Sequence, residues 1–125
     1  METLNIPEGY QQIMPYLIIK NAHAFFEFTQ KVFGAIEKYK AMRDETLIMH
    51  AEISIGIGVI MFADATETYH ECPAGMFVYV DDCDAVYKRG IENGASSLME
   101  PTDQSYGRGA GFRDMSGNSW WITAI

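Results

Sequence analysis

The chain is short of basic residues, of cysteine and of long apolar runs, and each shortage closes off a class of explanation. Nine Lys and Arg stand against seventeen Asp and Glu, a formal net charge of −8. Such a field repels phosphate backbones and anionic lipid surfaces, so neither nucleic acid nor a membrane is an expected partner. The two cysteines, Cys72 and Cys83, make no disulfide framework and lack metal-site spacing. Free thiols in a reducing cytoplasm are the expectation. No apolar stretch approaches the length of a membrane span. The opening residues Met1 to Asn5 offer neither the basic nor the apolar region of a secretory signal. Cytoplasmic localisation is therefore expected.

What is present is enough apolar matter for a core: 48% of the 125 residues are hydrophobic and 13% aromatic. It is written as one unit used twice. Pro15 to Ile19 is an extended apolar run, followed by Asn21, an apolar-striped stretch from Ala22 to Phe33, and Gly34-Ala35. Met76 to Val80 is followed by Asp82, a stretch from Cys83 to Asn93, and Gly94-Ala95. Each copy reads as strand, N-cap, helix and terminating glycine. Phe25, Phe28 and Val32 fall on one helical face. The glycines lie 60 residues apart, and Gly58 to Phe62 aligns with Asn118 to Ile122 at that same offset. Between helix and last strand each half leaves room for two more strands, at residues 37–43 and 47–55 in the first half and 96–100 and 110–113 in the second. The expected fold is α+β: two tandem βαβββ modules, about residues 12–65 and 74–125 of a single 1–125 domain, forming a curved mixed sheet around a cavity with helices on the outer face.

Strand alternation assigns the faces. Leu17, Ile19, Val78, Val80, Ile60, Phe62, Trp120 and Ile122 belong under the helices. Tyr16, Ile18, Met61, Phe77, Tyr79 and Trp121 belong on the opposite face. That lining, aromatic and sulfur-bearing with few polar groups, suits a small molecule. The competing role is packing against a second subunit or against one another.

Few side chains offer chemistry. His50 and Glu52 lie two apart in a strand and so share a face, where His50 could act as a general base oriented by Glu52. Packing is the competing role. Glu67 to Cys72 holds possible ligands on what reads as an inter-module linker, where polar residues are expected anyway. His23 reads as solvent-facing. Asp81, Asp82 and Asp84 read as helix-cap and first-turn charges. Gly107, Gly109 and Gly111 lack the Lys-Ser/Thr and the following helix of a phosphate loop. They suggest a hairpin near the pocket mouth, from which Tyr106 and Arg108 could reach a ligand.

The segments PYLIIKNAHAFFEFTQKVFGA, HAEISIGIGVIMFAD, FVYVDDCDAVYKRGIENGA and DMSGNSWWI resemble the PhnB-like branch of the glyoxalase, bleomycin-resistance and dioxygenase (vicinal oxygen chelate) superfamily, from about Ile13 to the C-terminus. Thr29, Met115-Ser116 and a short Gly107 to Asp114 stretch depart from the branch pattern. The resemblance implies the paired-module fold, a homodimer and a cleft for a small molecule, but no one reaction. The family's metal enzymes draw His, Gln or Glu from four cavity-facing strand positions. Here the matching residues are Met14, Met61, Gly75 (or Met76) and Trp121. Thioether, hydrogen and indole do not serve a borderline divalent ion. The expectation is thus a protein with no metal and no cofactor, binding an aromatic or cationic ligand through Met14, Tyr16, Met61, Phe77, Tyr79, Tyr106 and Trp121. Whether it is an enzyme stays open, and the residues lean against it. The alternative is a glyoxalase-like lyase or isomerase, or a dioxygenase, using non-standard metal ligands or His50.

Overall fold

The computed structural model describes residues 3–125. In each half, a short apolar strand meets a residue that caps a helix with its own side chain. In the first half β1, Tyr16–Ile19, leads to Asn21, whose Oδ1 accepts from the Ala24 amide and opens α1, Ala22–Phe33. Gly34, at φ 69°, closes that helix in the left-handed conformation that glycine tolerates. In the second half β5, Gly75–Tyr79, leads to Asp82, which accepts from the Ala85 amide at the start of α2, Cys83–Glu92. Three antiparallel strands complete each half: β2 Ile36–Met42, β3 Ile48–Ile55 and β4 Gly58–Asp64, then β6 Ser96–Gln104, β7 Gly107–Arg113 and β8 Ser119–Ala124. The order βαβββ therefore occurs twice, as the sequence repeat predicts.

The strands form two four-stranded mixed sheets, ordered β1-β4-β3-β2 and β5-β8-β7-β6. In each, the first strand pairs in parallel with the last and the remaining pairs are antiparallel. Strand pairing does not cross from one sheet to the other. The linker lies along β1, where Ile18 and Cys72 exchange backbone hydrogen bonds. β6 and β7 run longer than residues 96–100 and 110–113, because the glycine-rich stretch pairs backbone to backbone up to Gln104 and Gly107. Pro101 is tolerated inside β6 since that strand is at the sheet's edge.

The modules share one core. Phe25, Phe28 and Val32 of α1 meet Leu17, Ile19, Ile53 and Phe62 of their own sheet together with Ala110, Phe112, Trp120 and Ile122 of the other. Phe33 lies 4.6 Å from Trp120 between ring centroids, and Phe28 lies 5.9 Å edge-on from Phe112. α2 sits so close to β7 that a Cβ at Gly90 would come within 2.7 Å of the Phe112 ring. Two buried carboxylates fasten the ends. Asp64 accepts from the amides of Ala22 and Ile48, tying α1 and β3 to β4. Asp114 accepts from the Asn118 amide and the Trp120 indole, closing the β7–β8 turn. Both sheets therefore spend their helix-side faces on a common interior, and their other faces point away from it.

Candidate functional site

Alternation along β5 shows how those other faces are set. Gly75, Phe77 and Tyr79 are exposed, while Met76 and Val78 pack against the core. Of the two candidates for one family position, Gly75 is thus the residue on the uncovered face. Tyr16, Phe77, Tyr79 and Trp121 are 47%, 53%, 68% and 40% exposed. This is a large aromatic area for water to cover, shared between the faces of the two sheets, and it makes them candidate binding surfaces.

On the second sheet one row runs Phe77, Trp121, Gly111, Met99 across β5, β8, β7 and β6. A Cβ at Gly111 would stand 2.5 Å from two carbons of the Trp121 ring, so the indole lies down over the glycine. Phe77 and Tyr79 meet edge to face at 5.2 Å. The result is an aromatic shelf. Gly111, read from sequence only as part of a hairpin, is what lets the shelf lie flat.

On the first sheet the equivalent row is Tyr16, Met61, Glu52, Tyr39. Here the polar residues gather. His50 Nε2 lies 2.7 Å from Glu52 Oε2, Tyr16 Oη lies 2.9 Å from His50 Nδ1, and Tyr10 Oη donates to Glu52 Oε1 at 2.5 Å. Tyr16 and Tyr39 also flank the His50 ring, at centroid distances of 5.4 and 6.0 Å. Glu52 is only 8% exposed. Burial works to raise its pKa, but the hydrogen bonds from Tyr10 and His50, with the nearby His50 and Lys38, bring it below the ordinary carboxylate value. Glu52 is therefore ionised at neutral pH and can only accept. Tyr16 is pushed up by burial and by the Glu52 charge, against a lowering pull from Arg43, and keeps its proton. Tyr10 is raised too, first by its hydrogen bond to Glu52 and then by burial.

The sequence reading placed His50 and Glu52 together, and the structure brings them into contact. It missed Tyr10, which reaches Glu52 across 42 residues of sequence with no local signal to announce it. Tyr16 was legible as an aromatic lining residue, but its hydroxyl partner was not. Tyr106 stands in the β6–β7 turn, exposed. Arg108 pairs with Asp84 of α2 and Asp103 of β6, an exposed surface cluster.

A cavity of about 830 Å³ lies elsewhere. It lies between the modules, bounded by the β3–β4 hairpin, β5, Phe33 of α1 and Arg89 of α2. Phe77 and Tyr79 border it, whereas Met14, Tyr16, Met61, Tyr106 and Trp121 do not. Neither this cavity nor the smaller one beside Tyr10 and Lys38 joins the two aromatic faces.

Metal chemistry finds little to use. Among the described residues no three His, Cys, Asp or Glu side chains gather as a metal site. Met61 and Trp121 stand at mid-strand on the uncovered faces of different sheets and Gly75 opens β5 opposite Ser119, and thioether, indole and glycine do not make a donor set for a divalent ion. Among the described residues no helix is long and apolar enough to cross a membrane.

Comparison with known proteins agrees with this architecture. The family model described as "Glyoxalase/Bleomycin resistance protein/Dioxygenase superfamily" matches residues 9–122. No curated protein matches the chain in sequence. Among solved structures, TioX from Micromonospora sp. ML1 is 24% identical, with a TM-score of 0.73 over 92% of this chain and 96% of that one. A PhnB protein from Bacillus cereus is 17% identical, with a TM-score of 0.72 over 92% and 100%. The fosfomycin resistance protein FosX from Mesorhizobium loti is 15% identical, with a TM-score of 0.68 over 90% of each. At these identities the structures speak for the fold, and the family model speaks for descent: the chain belongs to the glyoxalase, bleomycin-resistance and dioxygenase superfamily.

Proposed function

We propose that this chain is a small-molecule-binding protein without a resident metal, whose cleft is completed by a second copy of itself. The observation that carries this is the pair of uncovered aromatic faces turned away from a shared core. In one chain they cannot enclose a ligand together. Set against each other across a two-fold axis, the first-module face of one copy and the second-module face of the other would form two equal clefts. Each would have a flat aromatic shelf on one wall and the Tyr16–His50–Glu52 cluster on the other.

The ligand class follows from the walls. An indole lying flat over a glycine suits a planar ring, and each stacked pair is worth ~1 kcal/mol beyond area burial. The net charge of −8 favours an aromatic cation over an anion at long range. Met14, Met61 and Met99 supply soft, adaptable packing at the margins. Sequestration of such a compound is the activity these features support, in keeping with the drug-resistance names in the family.

Three measurements test it. Sedimentation should give a dimer; a monomer at high micromolar concentration would remove the cleft. Titration with planar aromatic cations should quench Trp121 fluorescence, and the response should vanish in Trp121→Ala. Elemental analysis of protein purified without chelator should find no stoichiometric metal. One tightly held transition metal per chain would overturn the metal-free reading.

A further inference from the structure

In the hydrogen-bonded chain on the first sheet, the donor directions are fixed by chemistry. Glu52, ionised, accepts only, so His50 Nε2 must carry the hydrogen shared with Oε2. In the neutral imidazole Nδ1 is then bare, and it accepts from the Tyr16 hydroxyl. Both nitrogens of His50 are thereby engaged within the protein. His50 is not the atom that meets a ligand. What the cluster turns to solvent is Tyr16, 47% exposed, with its single proton committed inward and the lone pairs of its oxygen free to accept.

We infer that Tyr16, backed by His50 and Glu52, is a proton-accepting site for the hydroxyl of an aromatic ligand, with Tyr16 Oη as the contact atom. The order acceptor, imidazole, carboxylate is the logic by which a hydroxyl is activated in hydrolase triads, here with a phenol at the head. The step balances simply. The ligand O–H bond breaks as a new O–H bond forms on Tyr16. The proton Tyr16 held passes to His50 Nδ1. The ligand becomes a phenolate, and the imidazolium sits between it and the Glu52 carboxylate. No oxidant or co-reactant takes part, and reversal restores every group. Tyr16 ends the step as it began, so the net acceptor is the His50 imidazole, and the matched donor is an aromatic hydroxyl acidified by an electron-withdrawing ring substituent, as in a nitrophenol. Its ring is what the aromatic shelf is shaped to hold. Tyr10 holds the far oxygen of Glu52 and fixes the carboxylate. The other charged and titratable groups facing the relay are Tyr39 and Lys38 from β2 and Arg43 beyond it. These two cations offset locally the net charge of −8, which by itself disfavours a phenolate.

This inference rests on the cleft proposed above, but the relay lies wholly within one chain, so the two are separable. The probes are 4-nitrophenol, whose phenol and phenolate forms absorb at different wavelengths, and nitrobenzene, which has the ring without the proton. Both quench indole fluorescence, so Trp121 reports occupancy. The bound nitrophenol is expected to be at least about tenfold more acidic than the free compound, a shift of about one pH unit or more. Tyr16→Phe and His50→Gln should each abolish that shift in whatever probe remains bound. Near-ultraviolet circular dichroism checks that both variants are folded, and Tyr16→Phe removes one exposed oxygen only. Nitrobenzene quenching with nitrophenol bound neutral, or a shift that survives in Tyr16→Phe, overturns the relay and leaves the cleft standing. Quenching by neither probe overturns the relay as a site for aromatic hydroxyls, while the cation titration and the sedimentation above decide the cleft by themselves.

Discussion

One added carbon at Gly111 separates the shelf from the fold. In Gly111→Ala the new Cβ would stand 2.5 Å from Cε3 and Cζ3 of Trp121. Carbon atoms rest at about 3.5–4.0 Å, so the ring must retreat by about 1 Å or more. It has somewhere to go, since Trp121 is 40% exposed and its displacement is into the open face. Pushing the side chain off its rotamer costs ~0.5–1.5 kcal/mol. Replacing glycine inside a strand recovers ~0.5–1 kcal/mol of backbone entropy. The two nearly cancel, so thermal unfolding should move by less than the equivalent of about 1 kcal/mol. Ligand binding has no such compensation. Losing one stacked contact costs ~1 kcal/mol, which is about a fivefold loss of affinity, and more if the tilted ring obstructs the cleft. Differential scanning fluorimetry and a fluorescence titration with a planar aromatic cation read the two effects on the same sample. Unchanged affinity would show that Trp121 is no shelf. A stability loss above about 2 kcal/mol would show that its ring is held as firmly as a core residue, contrary to its exposure.

Gly90→Ala presents the same clash in a closed setting. Phe112 is fully buried among Phe28, Phe33 and Tyr87 and cannot yield, so overpacking of ~1–3 kcal/mol should outweigh the ~1 kcal/mol gained in helix propensity. A melting temperature at or above that of the parent would contradict this. Asp64→Ala leaves the buried amides of Ala22 and Ile48 without an acceptor and should cost ~2–4 kcal/mol in urea unfolding, with Asp64→Asn losing less. Equal losses in the two variants would mean that the hydrogen bonds contribute little. Because the folded pKa of Glu52 is depressed, its contribution to stability is fully present above the unfolded value and is lost as pH falls through the folded one. The stability gap between the parent and Glu52→Gln should therefore be widest near neutrality and narrow in acid. A gap that stays constant down the pH range would refute that sign.

Much of the fold was legible because it depends on local periodicity. Asn21 and Gly34 bracket α1, Asp82 opens α2, and alternation put Leu17, Ile19, Trp120 and Ile122 under the helices, where they are. The doubled βαβββ order follows from spacings that any reader of the chain can count. The extent of β6 and β7 was not legible, since three glycines carry no β signal and their pairing is a backbone matter. The pair His50 and Glu52 could be seen because strand geometry puts i and i+2 on one face. Tyr10 and Gly111 could not, because their partners are brought to them only by chain closure and cross-strand register.

The sequence by itself determined which residues each half buries, because that follows from side-chain identity and from the periods of strand and helix. Only the tertiary structure decided that the two helix-side faces merge into one core, which turns both aromatic faces outward. That choice depends on how two finished modules dock, a matter of shape and apolar area that no spacing along the chain encodes.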